Sequence, residues 1–273
     1  MPELPEVETV RKSLEQVVVG KRIESADIFL DKIVKCDNSE FISHISDKKI
    51  INIDRRGKYL LINLEDNLTI VIHLRMTGRL TAVPASVDRE KYTHLVLYLD
   101  DGSELRFADM RQFGTVNLIN TGNYETIHGL WTLGPEPLAD EFTLEIFKER
   151  MKRRKTKVKQ VLLNQQVVAG IGNIYADEIL FEAGINPERS VDQLSHSELT
   201  KLHESIKNVI AKGVKYRGTS IKDYVDGFGV KGEFQNYLCV YGQGGQPCPK
   251  CGREISKIKV GGRSTHYCSK CQK

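Results

Sequence analysis

Leu133-Gly134-Pro135-Glu136-Pro137 divides the chain into two kinds of pattern. Two prolines and a glycine in five residues can continue neither a helix nor a strand ladder, so the stretch reads as a linker. Upstream, residues 21–119 read as short strands, among them 50–54, 59–64, 68–74, 94–99 and 116–119. Asp101-Gly102, between two such runs, has the chemistry of a hairpin turn. Strands at this spacing predict a β-sandwich. A helix over 2–18 precedes them, with Leu4, Val7, Val10, Leu14 and Val17/Val18 on one stripe. Pro2 and Pro5 suit its first turn, and Glu3, Glu6 and Glu8 suit the positive end of its dipole. Downstream of the linker the period changes, and helices are expected over 143–153, 157–163, 173–183 and 195–212. The last opens on Ser195-His-Ser-Glu198, a capping box. Residues 217–233 hold four glycines and few apolar anchors, which reads as a mobile loop. Residues 237–273 read as short glycine-rich strands carrying cysteines.

The fold class is therefore α+β and multidomain: an N-terminal β-sandwich with a flanking helix over 1–132, a helical module over 133–236, and a cysteine-bearing hairpin over 237–273. At 273 residues, 40% hydrophobic and 28% charged, the composition is that of an ordinary soluble protein. No apolar run approaches a membrane span, and the first residues lack the basic and apolar regions of a signal peptide. A cytoplasmic protein with no membrane partner is expected.

Four of the six cysteines form two pairs, Cys248-x2-Cys251 and Cys268-x2-Cys271, separated by sixteen residues. Two knuckles joined by a hairpin place four thiolates tetrahedrally, the arrangement zinc prefers. A redox pair or two disulfides are the alternatives, and nothing else in the chain suggests an oxidising compartment. Four thiolates close the coordination shell, so the expected Zn2+ is single and structural. Between the knuckles, Gly261-Gly262-Arg263 puts a long cation at a turn where backbone can approach a phosphate.

The net charge of +4 conceals an asymmetry. Residues 1–140 carry 17 Lys+Arg against 22 Asp+Glu, and residues 141–273 carry 23 against 14. A basic C-terminal half suggests a polyanion, with nucleic acid the default. Val168-Ala-Gly-Ile-Gly-Asn173-Ile-Tyr175 lies between two expected helices. It lacks the strand and third glycine of a dinucleotide fingerprint. Two glycines ahead of a helix leave N–H groups aimed at an anion, and Asn173 adds a donor. The basic run from Lys152 to Lys159 precedes it. Together these read as a grip on a DNA backbone; the bland reading is a C-cap glycine and a solvated helix face.

Met1-Pro2-Glu3 is the sharpest feature for chemistry. Methionine ahead of proline is usually excised, which frees a secondary amine on Pro2. Such an α-amino group titrates at about 8, so a neutral fraction exists near neutrality. Its attack on a sugar C1′ gives an iminium ion, an electron sink for successive phosphate elimination. Glu3 beside it can move protons. Alone, Pro-Glu reads as a good helix start.

PELPEVE at the start, RRGKYL at 55–60, HLRMTG at 73–78, DMRQFG at 109–114, AGIGNIY at 169–175 and the terminal GRSTHYC-x2-C stand in order along the whole chain. In these the chain resembles the formamidopyrimidine-DNA glycosylases, bacterial enzymes that remove oxidised purines. The resemblance implies a β-sandwich followed by a helix–two-turn–helix module and a zinc finger, with double-stranded damaged DNA in the cleft between the two domains. It implies base-excision repair with AP-lyase cleavage by β,δ-elimination, by a monomer. It implies Pro2 as nucleophile, Glu3 as general acid/base and Lys58 as the lysine near the lesion. The implied DNA contacts are Glu6, His73, His94, Lys155, the phosphate ligands Asn173 and Arg263, and the void-filling trio Met76, Arg111 and Phe113. The physics of the trio agrees. Extruding a base costs a few kcal/mol, an apolar Met and Phe can refill the gap, and an Arg can pair with the orphaned base. Residues 217–233 take the place of a lesion-sensing loop. No role is assigned to Thr77, Cys36 or Cys239. Two other readings stand beside this one: an endonuclease VIII-type enzyme for oxidised pyrimidines, and a non-catalytic zinc-ribbon DNA-binding protein.

Overall fold

A computed structural model of the protein describes residues 1–221 and 224–273. Lys222 and Asp223, inside the segment read as a loop, lie outside the described residues. Contacts group the chain into two compact units, 1–131 with 217–233, and 132–216 with 234–273.

The first unit opens on helix α1 (Leu4–Val18), with Pro5 in its first turn and Glu3 as its N-cap. Val7, Val10, Leu14 and Val18 line its buried face. The strands are β1 (Arg22–Ile28), β2 (Lys48–Arg56), β3 (Tyr59–Leu64), β4 (Leu68–His73), β5 (Gly78–Pro84), β6 (Thr93–Leu99), β7 (Ser103–Asp109) and β8 (Thr115–Asn120). They run in the order β5-β7-β6-β1-β2-β3-β4-β8. The β1–β2 link consists of two residue pairs, Arg22 with Lys49 and Ile23 with Lys48. The array is thus two four-stranded antiparallel sheets joined at a corner, a β-sandwich. Its core includes Ile23, Ile53, Leu60, Ile62, Ile72, Leu97 and Phe107 together with the apolar face of α1. Each such aliphatic side chain contributes about 1.5–3 kcal/mol relative to exposure. The Asp101-Gly102 hairpin forms between β6 and β7, with Gly102 at φ +78°.

One expectation is corrected. The stretch 21–119 is not strand throughout, because α2 (Asn38–Ile45) interrupts it. The Asp37 side chain accepts the Glu40 N–H at 3.0 Å, and Phe41 and Ile45, four apart, bury into the sandwich core. Two inward residues in eight are too few to register as a helical stripe.

The second unit begins at Thr132, directly after the short α3 (His128–Trp131) of the first, and opens on the linker. It holds α4 (Leu144–Met151), α5 (Val158–Leu163), α6 (Asn173–Ala183) and α7 (His196–Lys215). Thr143 caps α4, and the expected Ser195–Glu198 capping box starts α7. Helix α6 ends in a Schellman motif: Gly184, at φ +73°, donates to Phe181 O, and Ile185 donates to Leu180 O. Within 237–273, regular strand is confined to β9 (Ser256–Val260) and β10 (Arg263–Tyr267). Gly261 and Gly262, at φ +55° and +76°, form the two-residue turn between them. Among the described residues, no helix is long and apolar enough to cross a membrane.

Candidate active site and nucleic-acid interface

In the first unit, Pro2, Glu3 and Glu6 are buried at the head of α1, while Met1 is exposed. Glu6 Oε2 accepts the Glu3 N–H at 2.8 Å, and its Oε1 accepts the Thr219 N–H at 2.6 Å. One carboxylate thereby ties the start of the helix to the 217–233 segment. The Tyr224 hydroxyl reaches Glu6 O at 3.1 Å, and the Gly227 N–H donates to Ser13 Oγ at 2.8 Å. The Ala82 N–H, from β5, donates to Gly227 O at 2.9 Å. Gly218 has φ +76°, and a Cβ there would lie 2.7 Å from Glu6 Oε1, so this approach requires glycine. The described residues of 217–233 are therefore held by specific bonds to α1 and β5, which their glycine content concealed.

Lys58 is buried in the two-residue turn between β2 and β3, beside Gly57 at φ +56°. Arg55 fixes that turn: its Nε donates to Glu8 Oε2 on α1 at 2.9 Å and its Nη1 to Gly57 O at 3.1 Å. His73 is also buried, edge-on to Tyr59. Its Nδ1 accepts the Arg75 N–H at 3.0 Å, so that nitrogen carries no proton. Burial, with the Arg75 and Lys58 cations adding to it, pushes the imidazole pKa down to about 3. His94 is buried with Nε2 2.8 Å from Asp109 O.

Met76, Arg111 and Phe113 are exposed, Phe113 at 59% and Met76 at 37%. Sequence reading passed over the residue that organises their loops. Asp109 is buried, and its carboxylate accepts the backbone N–H groups of Arg111, Phe113 and Gly114 at 3.2, 2.8 and 2.7 Å. The signal was present: an aspartate directly ahead of a short loop can accept that loop's N–H groups.

In the second unit, Lys155 and Arg263 are exposed. Asn173 begins α6, and its Nδ2 donates to Ser264 O at 2.9 Å, which ties the helix start to β10. Asn173 Oδ1 and Ser264 Oγ are buried atoms with no hydrogen-bond partner among the described residues. Lys159, from the same basic run as Lys155, points the other way. It is fully buried and donates to Asp177 Oδ1 at 2.6 Å, Thr265 Oγ1 at 2.8 Å and Ser264 O at 3.0 Å. Asp177 Oδ2 accepts the His266 N–H at 2.9 Å. Counting charge had grouped Lys159 with the solvated run. Its place one residue after Val158 and two before Val161 marks the buried side of α5.

The four cysteine sulfurs lie within 4.8 Å of one another. Cys248 and Cys271 are 3.9 Å apart, and Cys251 and Cys268 are 3.5 Å apart. Zinc bound by four thiolates at about 2.3 Å requires sulfurs about 3.8 Å apart, so the donor set fits one structural Zn2+. All four cysteines are free, which removes the disulfide reading. Glu178 on α6 accepts the N–H groups of Cys239, Val240 and Tyr241 at 2.8–2.9 Å, which fixes the chain leading into the first knuckle. Gln272 Oε1 accepts the Cys268 N–H at 2.8 Å.

Residues 1–116 match the formamidopyrimidine-DNA glycosylase N-terminal domain, 133–225 match the H2TH domain of the same family, and 245–273 match a zinc finger found in FPG and IleRS. The formamidopyrimidine-DNA glycosylase of Pelotomaculum thermopropionicum is 46% identical, with 100% of this chain and 99% of the relative covered. That of Desulforamulus reducens is 48% identical over the same shares. Among solved structures, wild-type Lactococcus lactis Fpg in complex with N7-benzyl-Fapy-dG DNA is 40% identical and covers all of both chains, with a TM-score of 0.94.

Proposed function

Since the chain belongs to the formamidopyrimidine-DNA glycosylase family and is a DNA glycosylase of base-excision repair, we propose that it removes oxidised purines from duplex DNA and then cleaves the abasic strand through an imine on Pro2. The observation that carries this is the buried Pro2-Glu3 step at the head of α1, inside the matched catalytic domain. Removal of Met1 frees the Pro2 secondary amine, which titrates at about 8 and is partly neutral in use. The amine attacks C1′ and the damaged base departs with the bond electrons; the nitrogen loses its proton, and its lone pair then opens the C1′–O4′ bond, with O4′ taking up a proton, to give the iminium. That cation acidifies the C2′ proton. Its loss expels the 3′ phosphate, and a second elimination expels the 5′ phosphate. Glu3 moves the protons of these steps, from a site whose burial keeps bulk water away. Lys58, at its turn, supplies a cation near the lesion.

Arg111 pairs with the orphaned base while Met76 and Phe113 fill the void; this trio favours oxidised purines such as 8-oxoguanine and formamidopyrimidines over oxidised pyrimidines. Asn173 at the start of α6 and Arg263 beside the Gly261-Gly262 turn hold the flanking phosphates. Zinc shapes the hairpin that presents Arg263. The protein works as a monomer in the cytoplasm.

Sodium borohydride tests the reading. It should trap a covalent adduct on a duplex with 8-oxoguanine opposite cytosine, and intact mass should show the protein shortened by one methionine. No adduct, or active protein retaining Met1, would overturn the Pro2 mechanism. A preference for thymine glycol would move the substrate to oxidised pyrimidines.

A further inference from the structure

Thr77 lies between Met76 and β5, and its hydroxyl spans two loops. It donates to Asp109 Oδ1 and accepts the Arg111 N–H at 3.0 Å. Asp109 closes the arrangement. Its Oδ1 also receives the Arg111 N–H, and its Oδ2 receives those of Phe113 and Gly114. The Asp109 backbone is fixed in turn, its N–H on Tyr92 O at 3.0 Å and its carbonyl 2.8 Å from His94 Nε2. Between the captured N–H groups, Gln112 is held at φ +56°, a left-handed conformation that a side-chain-bearing residue keeps only when its surroundings impose it. Gly114 has no alternative, because a Cβ there would lie 2.4 Å from the Phe107 ring.

The consequence is a separation of backbone from side chain. The main chain of the 110–114 loop is locked by a carboxylate that is 1% exposed, while Arg111 and Phe113 project into solvent. Met76, on the other loop, is attached to the same carboxylate through the hydroxyl of its neighbour. We propose that Thr77 and Asp109 are positioning residues that hold Met76, Arg111 and Phe113 as one preassembled wedge. This rests on the void-filling role given to that trio. With the loops already ordered, the cost of ordering them is not added to the cost of unstacking the base. Without the Thr77 hydroxyl, the two loops sample positions independently, and insertion must wait for both.

The test is single-turnover kinetics on the full-length, zinc-loaded protein. A duplex with 8-oxoguanine opposite cytosine and 2-aminopurine beside the lesion reads unstacking by fluorescence and base loss by strand cleavage. A preformed abasic site in a single strand reads lyase chemistry with no stack to open. Thr77→Val keeps the shape and removes the hydroxyl. It should slow both the fluorescence phase and base excision about tenfold, the scale of one hydrogen bond to a charged group, and leave abasic cleavage within twofold. Thr77→Ser should recover most of the rate. Asp109→Asn presents an amide where carboxylate oxygens met N–H donors, and it should slow the fluorescence phase further than Thr77→Val. Met76→Ala and Phe113→Ala separate the two levels of reasoning. If they slow unstacking and Thr77→Val does not, the positioning role fails while the wedge stands. If none slows it, the wedge fails as well. Equal loss of both activities in Thr77→Val would reduce Thr77 to a general structural residue and overturn the proposal.

Discussion

Replacing Lys159 by methionine should destabilise the second unit by about 3–5 kcal/mol, the range for removing one partner of a buried ion pair. Lys159 and Asp177 are both 0% exposed, and all three ammonium donors are used: on Asp177 Oδ1, Thr265 Oγ1 and Ser264 O. Methionine fills the space of the side-chain stem, so little of the cost is cavity. The cost comes from leaving the Asp177 carboxylate buried with, among the described residues, only His266 as its partner, its Oδ2 accepting the His266 backbone N–H at 2.9 Å and lying 3.3 Å from Nδ1. For a unit of about 125 residues, the loss corresponds to a fall in Tm of roughly 10–20 °C. Urea unfolding with zinc in excess measures it, read by far-UV circular dichroism. Most helical residues of the described chain lie in this unit, whereas Trp131, the only tryptophan, lies in the first unit and reports there by fluorescence. Lys159→Met combined with Asp177→Leu should cost less than the sum of the two single changes, because the orphaned charge is gone. A loss below about 1 kcal/mol in Lys159→Met, or strict additivity in the pair, would refute the assignment of this lysine as a buried structural cation. Since the same lysine holds Ser264 O, to which Asn173 also donates, the folded variant should bind abasic duplex more weakly at low temperature.

Three further outcomes follow from the site. His73 has a folded pKa near 3, below its unfolded value of about 6.5, so the unfolded state takes up a proton that the folded state refuses. Its contribution is whole above about pH 6.5 and is lost as pH falls toward 3; between pH 7 and pH 5 the parent should lose about 2 kcal/mol more than His73→Gln, by denaturant unfolding at each pH. Cys268→Ala should abolish the one zinc per chain counted by metal analysis and with it duplex binding, while thermal unfolding of the first unit, followed at Trp131, stays in place. Duplex affinity should fall steeply with salt, and Arg263→Ala should reduce the slope of log affinity against log salt by about 1, measured by anisotropy on undamaged DNA; an unchanged slope would remove Arg263 from the phosphate contacts.

What the sequence made legible was what is local in the chain. The zinc ligands are paired at x2 spacing, the Ser195–Glu198 box closes over three residues, and the Gly261-Gly262 turn carries its own conformational demand. The linker at 133–137 stands at the boundary between the units because its prolines forbid regular structure there. What was not legible depends on partners far along the chain. Glu6 and Thr219 are 213 residues apart, and nothing in either neighbourhood announces the other. For that reason residues 217–233 follow α7 in sequence, yet their contacts group them with the sandwich. Lys159 was hidden for a different reason: within a run of cations, charge outweighs periodicity, although its neighbours Val158, Val161 and Leu162 are all buried.

Three of the buried carboxylates share one arrangement, and it bears on how a protein for a polyanion can keep so many acids. Glu6 takes N–H groups from Glu3 and Thr219, Asp109 from Arg111, Phe113 and Gly114, and Glu178 from Cys239, Val240 and Tyr241. Each is nine-tenths or more buried. A carboxylate so placed satisfies several loop donors at once, and such charge-assisted bonds contribute about 1.5–3 kcal/mol apiece. An apolar anchor would hold the same loop only by drawing its side chains inward. Anchoring through the main chain leaves the Arg111 and Phe113 side chains exposed, where they can face a ligand. It also turns the negative charge toward N–H dipoles, away from phosphates. The acidic balance of residues 1–140 is therefore compatible with a DNA-facing surface there, because part of that charge is already engaged inside the protein.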